Sequence, residues 1–394
     1  MKKVHKALGT SLLAAAVLLV PQTSLAEGPK PASGETLSIN GFIDYAEMNK
    51  TLTQIEKNSK GAIKIESAGK TNQGRDIFTA RVGEGKKVLL VESEIHGNEK
   101  TGTVALLNLL QYLGSSQSNE AKKIREELTI VAIPMLNADG SELDRRANDM
   151  DWSEAVADFP QLASAKPSWN YYTKTLQGDD YASNPGFDVN RDFNPDLNYV
   201  PQAKDFPGAS NQPGWFITPE SQTVRDVYKK LQNEFGRVDV FLDLHHQGFY
   251  KIEGTDEDVT MSISAQFVPD PRTAQGGKYA QFAENYRYDY SRQLNLALYN
   301  ALQAKGSSVF SNISLYDQGL DLPGTALGSF ALNGSGTVLF EVKGQTHSLG
   351  QKQKGMLVNT VETGIMGILN GVADGSVYNL NPGDYERIPN RVNP

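Results

Sequence analysis

The sequence predicts an α/β fold in which one mixed, mostly parallel twisted sheet is covered by helices on both faces. Short apolar runs, several of them β-branched, alternate with longer segments of helical period across most of the 394 residues. The length and ordinary composition leave room for a large core, and the pattern shows neither an internal repeat nor a second core. We therefore expect a single α/β domain.

The N-terminal residues have the pattern of a secretory signal peptide. Three lysines precede an apolar run over 7–20 that is too short for a comfortable membrane span, and Ser24-Leu25-Ala26 offers a cleavage site. An uncleaved anchor is the alternative. We predict a signal peptide over 1–26, a loose arm over 27–35, a main domain over 36–370 and a surface extension over 371–394.

Composition narrows the choice of partners and compartment. The chain has no cysteine, so it carries neither a disulfide framework nor a lipobox for lipid attachment. The formal charge of −8 becomes more negative once the lysines of the signal peptide are removed. An acidic surface argues against nucleic acid or anionic membranes as partners. We expect a monomer secreted to the outside or the envelope of a bacterial cell.

The stretch from Lys87 to Gly102 organises the prediction. An apolar run ends in His96, a turn that contains Gly97 and Asn98 follows, and a helical pattern begins near Thr103. Upstream of this stretch, the pattern predicts a helix over 42–58 and strands over 62–66 and 76–82, on either side of a turn at 71–74.

Downstream, the alternation of strands and helices continues around one long insert. Residues 148–186 show no clear period and are dense in Trp, Tyr, Asp and Pro, which predicts a long loop or lid. Thr218 as N-cap and Pro219 at the first helical position predict a helix to about residue 235. The other predicted elements are a strand over 127–135 ending in a turn at 134–140, a strand over 238–245, an irregular stretch over 251–275, a helix over 279–305, a strand over 336–342 and a helix over 351–369.

Chemistry-bearing residues stand at the ends of these strands. His96 and Glu99 follow one strand, while His245 and Glu341 end or nearly end two others. Ligands of α/β sheets bind beyond the carboxyl ends of the strands. Imidazole and carboxylate together suit Zn²⁺. His-x-x-Glu alone is a common pattern, so the prediction depends on a third ligand and a further carboxylate elsewhere.

At these residues the chain resembles the zinc metallocarboxypeptidases, the carboxypeptidase A/B-like or funnelin family. The resemblance runs from about residue 36 to 370 and rests on six pieces in the family's order. They are His96-Gly-Asn-Glu99, Pro134-Met-Leu-Asn137-Ala-Asp-Gly140, Arg145-Arg146-Ala-Asn148, Asp188-Val-Asn190-Arg191, Leu242-Asp-Leu-His245 and Phe340-Glu341-Val. The resemblance implies a carboxypeptidase-like α/β/α sandwich with one Zn²⁺ per chain.

The resemblance also implies a metal centre. It assigns the zinc ligands to His96, Glu99 and His245, which leaves a fourth position open for water, as in catalytic rather than structural sites. It assigns to Asp188 a hydrogen bond from the other nitrogen of His96, which would fix the tautomer of that ligand. Glu341 would then be the general base.

The remaining implied roles concern the substrate, a peptide with a free C-terminal carboxylate. Arg146 would polarise the scissile carbonyl and stabilise the oxyanion. Asn190 and Arg191 would bind the terminal carboxylate, Arg191 in the bidentate geometry that guanidinium favours. Tyr316 is the nearest candidate for the family's tyrosine that closes over the substrate, although the spacing needs a small insertion.

Some assignments have competitors in the sequence. His246 competes with His245, but neighbours in a strand point to opposite faces. Arg145 competes with Arg146. The floor of the side-chain pocket falls at about Ala326, which favours apolar or unselective C-terminal side chains. His347 is expected to be structural or exposed.

Two other functions remain open at this level. A related zinc amidohydrolase would act on cell-wall muropeptides or on small acyl-amino-acid conjugates. A non-catalytic peptide-binding module would keep the fold without the reaction. The presence of all three ligands and of Glu341 argues against this function. A thermolysin-type protease is excluded because the sequence contains no His-Glu-x-x-His.

Overall fold

The computed structural model of the chain describes residues 42–176, 178–306, 309–343 and 351–394. The predicted signal peptide over 1–26, the arm over 27–35 and His347 lie outside the described residues.

An eight-stranded sheet forms the centre of the domain, in the order β1-β2-β4-β3-β7-β11-β9-β10. Its central pairs β4-β3, β3-β7 and β7-β11 are parallel, as is the edge pair β9-β10. The strands among the described residues are β1 Ile63–Lys70, β2 Asp76–Val82, β3 Lys87–Ser93, β4 Leu128–Ile133, β5 Tyr171–Tyr172, β6 Gly186–Phe187, β7 Val240–Gln247, β8 Lys251–Ile252, β9 Met261–Ser264, β10 Ile313–Leu315, β11 Gly336–Lys343 and β12 Arg391–Val392.

Helices cover both faces of this sheet. The helices among the described residues are α1 Tyr45–Asn58, α2 Thr101–Ser115, α3 Asn119–Glu127, α4 Ala138–Glu142, α5 Trp152–Asp158, α6 Pro219–Phe235, α7 Tyr288–Gln303, α8 Ala326–Leu332 and α9 Gln351–Asp374. Thr218 caps α6 as predicted, because its hydroxyl accepts the amide of Ser221, and Gly236 ends that helix in the left-handed conformation.

Alternate residues of the central strands enter two separate cores, as the pleat requires. Leu89, Leu242 and Phe340 pack on one face with α1, α2, α7 and α9. Leu90, Phe241 and Leu339 pack on the other face with α6 and α8. The predicted single α/β domain with helices on both faces is therefore confirmed.

The C-terminal extension predicted over 371–394 begins later than expected, because α9 continues to Asp374. Among the residues that follow, Val377, Tyr385 and Ile388 are buried in the main core, and the others are exposed or half-buried. Scattered apolar residues anchor the segment, and its Pro/Asn/Gly-rich composition concealed them.

The insert over 148–186 contains α5 and β5, and its aromatic residues pack with Phe187, Trp215 and Ile217 in a small apolar cluster. Asn148 ties the two ends of the insert together, because its Oδ1 accepts the amide of Phe187 at 2.8 Å. Its Nδ2 donates to Glu220 Oε2 at 2.9 Å, in the first turn of α6. Burial raises the pKa of Glu220 to about 8.

This carboxyl group gives a prediction for stability against pH. Because the folded pKa lies above the ordinary value of 4.5, the contribution of Glu220 to the free energy of unfolding is full below pH 4.5 and is lost as the pH rises towards about 8. Glu220→Gln removes the titration and keeps an acceptor for Asn148. We expect the free energy of unfolding in urea to fall less steeply over this range in Glu220→Gln than in the wild type. Glu47→Gln, at an exposed position, is the control, and parallel profiles for wild type and Glu220→Gln would contradict the assignment.

Candidate metal centre and active site

The register of two central strands sets the position of the site. β11 runs parallel to β7, and Glu341 is paired with His245. Both side chains therefore lie on the face that carries Phe241 and Leu339. The two functional groups are neighbours at the carboxyl ends of their strands, where ligands of such sheets bind.

A tight turn after β3 brings in the second half of the site. The amide of Glu99 donates to the carbonyl of His96 at 3.1 Å, which folds the two side chains towards one another. Gly97 allows this turn, because a Cβ there would lie 2.0 Å from the carbonyl carbon of Gly140. The segment from Asn137 to Gly140 is therefore the surface against which the His96 turn packs.

The structure brings three predicted ligand residues to one point. His96, Glu99 and His245 are buried, and one ligand atom of each lies within 4.8 Å of the others. His245 Nδ1 lies 2.8 Å from Glu99 Oε2 and 3.2 Å from His96 Nδ1. Among the described residues, this is the cluster of His, Cys, Asp or Glu that has metal-binding geometry.

Carboxylates lie beside the outer nitrogens of both rings. His96 Nε2 lies 3.2 Å from Asp188 Oδ1, as predicted. His245 Nε2 lies 2.9 Å from Asp243 Oδ1 and 3.0 Å from Asn190 Nδ2. Such outer carboxylates fix the tautomer and orientation of metal-binding histidines.

The donor set fits a zinc ion. With the Nε2–H of His96 directed at Asp188, the lone pair of its Nδ1 faces His245 Nδ1 and the carboxylate of Glu99. Converging lone pairs repel unless a cation or a proton lies between them. Two imidazoles and one carboxylate are the three-ligand set of catalytic zinc sites.

His246, the competing ligand, belongs to the opposite face. Its Nε2 accepts the backbone amide of Thr101 at the start of α2, where no side chain of the helix itself caps the N-terminus. Its own amide donates to Glu99 Oε2 at 3.1 Å. The structure therefore brings His245 and not His246 to the cluster.

Arg146 lies beside the cluster, and Arg145 does not. The Nε and Nη2 atoms of Arg146 donate to Asp188 Oδ2 at 3.0 and 2.9 Å, and its Nη1 lies 3.3 Å from His96 Nδ1. Arg145 turns away and donates to the carbonyls of Asn148 and Asn184. Burial alone would raise the pKa of Asp188, but Arg146 and neighbouring positive groups outweigh it and hold that pKa well below its ordinary value.

A cavity of about 320 Å³ borders the cluster of His96, Glu99 and His245, and Arg191 and Asn190 line it as well. Asn190 has internal partners: its Oδ1 accepts the amide of Ala326 at 3.0 Å, and its Nδ2 lies 3.0 Å from His245 Nε2. The assignment of Asn190 to a substrate carboxylate stays a prediction, since both ends of its amide already have neighbours. Arg191 Nη1 donates to the carbonyl of Asn190 at 2.6 Å.

Tyr316 and Glu341 lie in the wall of this cavity, with Phe267, Leu322 and Leu339 as apolar neighbours. Tyr316 packs on Phe267 with ring centroids 6.1 Å apart. Burial raises the pKa of Glu341 to about 8, and the charge of Glu99 adds to the effect of burial. Ala326, expected at the pocket floor, is fully buried behind Asn190 and is not among the lining residues.

Sequence reasoning missed several neighbours of the site. Asp243 carried a signal, because it stands two residues before His245 in a strand and so shares its face. Tyr172 and Asp179 come from the insert: the Tyr172 hydroxyl donates to Asp188 Oδ2, and Asp179 accepts the amide of Arg146. Arg391 enters the cavity from the C-terminal segment, and nothing in its local sequence indicates this.

The ligand assignment predicts the zinc content of variants. His245→Ala removes one of three protein ligands, whereas His246→Ala, at the adjacent position on the opposite face, removes none. We expect about one zinc per chain in the wild type and in His246→Ala, and strongly substoichiometric zinc in His245→Ala, by elemental analysis after dialysis. Asp188→Asn should weaken zinc binding by about 10- to 100-fold in competition with a chelator. Loss of zinc from His246→Ala with retention in His245→Ala would reverse the assignment.

Comparisons with known proteins agree with this geometry. A family model described as zinc carboxypeptidase matches residues 48–315. Zinc carboxypeptidase A 1 of Drosophila melanogaster is 23% identical to the chain over 149 residues, which are 35% of this chain and 34% of that protein. That match therefore spans about a third of the relative's length.

Two solved structures share the fold. Carboxypeptidase A from Helicoverpa armigera has a TM-score of 0.52 and 15% identity, and the alignment covers 86% of this chain and 75% of that chain. Thrombin activatable fibrinolysis inhibitor has a TM-score of 0.54 and 13% identity, and the alignment covers 90% of this chain and 81% of that chain.

Glu341 lies beyond the range of the family model, so its assignment rests on its position in the site. Since that model covers more than half of the chain and the His-Glu-His cluster lies within its range, this chain belongs to the zinc carboxypeptidase family.

Proposed function

We propose that this chain is a secreted zinc-dependent carboxypeptidase that removes C-terminal residues from peptides. One observation carries the proposal: the His96, Glu99 and His245 cluster opens into the same 320 Å³ cavity as Glu341 and Arg191. A set of metal ligands, an acid–base group and a carboxylate receptor in one cavity are the components that exopeptidase chemistry requires.

His96, Glu99 and His245 would hold a zinc ion, which would supply Lewis acidity towards the scissile carbonyl and the attacking water. Glu341 takes a proton from that water on its carboxylate and later gives the proton to the leaving amine. Its pairing with His245 across β7 and β11 supports this role, since the carboxylate stands beside the ligand cluster. The other cavity residues bind and orient the substrate.

Arg146 stabilises the negative charge that develops on the carbonyl oxygen. Asp188 accepts two hydrogen bonds from its Nε and Nη2, which fixes the guanidinium plane. The Nη1 group is thereby directed towards the cluster, 3.3 Å from His96 Nδ1. A donor fixed before reaction costs little reorganisation, which is the basis of oxyanion stabilisation.

Arg191 binds the C-terminal carboxylate of the peptide and so limits cleavage to the last residue. Its guanidinium lies in the cavity wall and presents a planar fork, which suits a carboxylate. Asn190 borders the same carboxylate position. Tyr316 covers the bound substrate.

The cavity wall also suggests a preference for apolar C-terminal side chains. Phe267, Leu322 and Leu339 line it, together with the ring of Tyr316. Burial of apolar side-chain area would contribute about 25 cal/mol per Å² to binding. The N-terminal pattern over 1–26 supports secretion, so peptides outside the cell or in its envelope are the proposed substrates.

The general base gives the first test. Glu341→Gln keeps the size and hydrogen-bonding groups of the side chain but cannot accept the water proton. We expect normal zinc content and a loss of at least about 100-fold in kcat. Glu362→Gln, on α9 and bonded to Asn108, is the matched control and should keep wild-type turnover. Turnover of Glu341→Gln within tenfold of wild type would exclude Glu341 as the base.

The carboxylate receptor gives the second test. Arg191→Ala should raise KM by roughly 10- to 100-fold for peptides with a free C-terminus, because a charge-assisted bidentate pair is lost. The KM of Arg191→Lys should lie between those of the wild type and Arg191→Ala. Arg272→Ala, which removes an ion pair with Asp270 outside the cavity, should have the KM of the wild type. C-terminally amidated peptides should be poor substrates of every variant. Equal rates on free and amidated peptides would argue against exopeptidase action, whereas activity on muropeptides with none on ordinary peptides would favour the amidohydrolase alternative.

A further inference from the structure

The C-terminal segment contributes a residue to the active-site wall. The tail segment, Pro389–Val392, crosses the open ends of the strands after its anchors Tyr385 and Ile388 enter the core. The amide of Leu315 donates to the carbonyl of Pro389 at 2.7 Å, and β12 pairs with β8 in antiparallel register. The tail segment thus joins the end of β10 to the loop after β7.

Arg391 is the side chain that the tail segment places in the cavity. Its Nη1 donates to Gln247 Oε1 at 2.7 Å, at the last residue of β7. Its Nε and Nη2 donate to the two carboxylate oxygens of Asp317 at 3.1 and 2.9 Å. The side chain is only 5% exposed. Each of its nitrogen atoms therefore already has an acceptor within the protein.

The guanidinium of Arg391 also lies between two tyrosine rings. Its central carbon is 3.8 Å from the ring centroid of Tyr316 and 4.0 Å from that of Tyr250. Guanidinium groups at this distance attract aromatic faces by cation–π interaction and by stacking. One side chain therefore contacts the proposed cover tyrosine, the opposite wall at Tyr250 and the end of the strand that carries His245.

We propose that Arg391 is a positioning residue, which holds Tyr316 in the cavity wall before the substrate arrives. It acts through Tyr316, on whose ring its guanidinium stacks, while three of its five N–H groups are bonded to Gln247 and Asp317. One guanidinium contacts Gln247, Asp317, Tyr250 and Tyr316 and so preorganises the wall, and the loss of Arg391 therefore releases the Tyr316 ring. This inference rests on the proposed function for its kinetic consequence, but its structural consequence at Tyr316 is independent of activity.

A kinetic cycle tests the dependence on Tyr316. Arg391→Ala should raise KM by about tenfold with kcat within about threefold, because a disordered wall weakens substrate binding more than the chemical step. In the Tyr316→Ala background, Arg391→Ala should add less than about twofold, since its partner is already absent. Arg387→Ala is the control, because Arg387 is four residues upstream, 80% exposed and paired with Asp384. Fully multiplicative effects of Arg391→Ala and Tyr316→Ala would overturn the proposal.

Chemical labelling tests the same inference without turnover. Nitration by tetranitromethane, followed residue by residue by mass spectrometry, should be several-fold faster at Tyr316 in Arg391→Ala than in the wild type. The rate at the exposed Tyr378 should not change. If the wild type fails to hydrolyse peptides but Tyr316 labelling still rises, the proposed function fails and the positioning role stands. If the wild type hydrolyses peptides and Tyr316 labelling is unchanged, the positioning role fails.

Arg391→Lys guards against a folding defect of the alanine variant. Lysine keeps the charge and the aliphatic stem but loses the fork to Asp317 and the planar stack on Tyr316. It should fold as the wild type does, by its thermal midpoint, and give KM and labelling changes in the same direction at smaller size. Wild-type KM and labelling in Arg391→Lys together with a misfolded Arg391→Ala would overturn the proposal.

Discussion

The pairing of Glu341 with His245 across two parallel strands is the constraint on which the site depends. Parallel register fixes which residues are neighbours, and the side-chain period of two fixes the face. A slip of one residue would turn Glu341 into the core that contains Phe340 and would bring Val342 to the metal cluster. The register itself is held by apolar side chains on both faces, so the core of the sheet specifies the chemistry at its edge.

Buried acidic and basic side chains surround the metal-ligand residues. Asp188 contacts the outer nitrogen of His96 and is paired with Arg146, and Asp243 lies 2.9 Å from the outer nitrogen of His245. Glu92 is paired with Asp243 in the register of β3 and β7. Burial, with the charge of Asp243, raises the pKa of Glu92 well above its ordinary value. Burial and the neighbouring carboxylate of Asp243 thus shift the pKa of Glu92 in the same direction.

The sequence was sufficient for the central fold and for the metal cluster, and the reasons are physical. Central strands are long and apolar, so their pattern is strong, and ligands at strand ends must meet at one edge of the sheet. The short strands β8 and β10 leave weak patterns and were missed. The same holds for the mostly polar helix α3, in which only Ala121 and Ile124 are buried. Strand periodicity could have predicted that Asp243 lies on the same face as His245. The internal bonds of Asn190 and the position of Arg391 could not be predicted, because they depend on contacts between segments far apart in the chain.

The separation of the ligands along the chain has a consequence for the protein as a whole. His96 and His245 are 149 residues apart, yet their Nδ1 atoms lie 3.2 Å from each other. An ion that bridges them closes a large loop and binds only the native arrangement, so it favours the folded state by mass action. In a chain without cysteine, zinc would then do for the folded protein what a covalent bridge does elsewhere, and the supply of metal would govern durability as well as turnover.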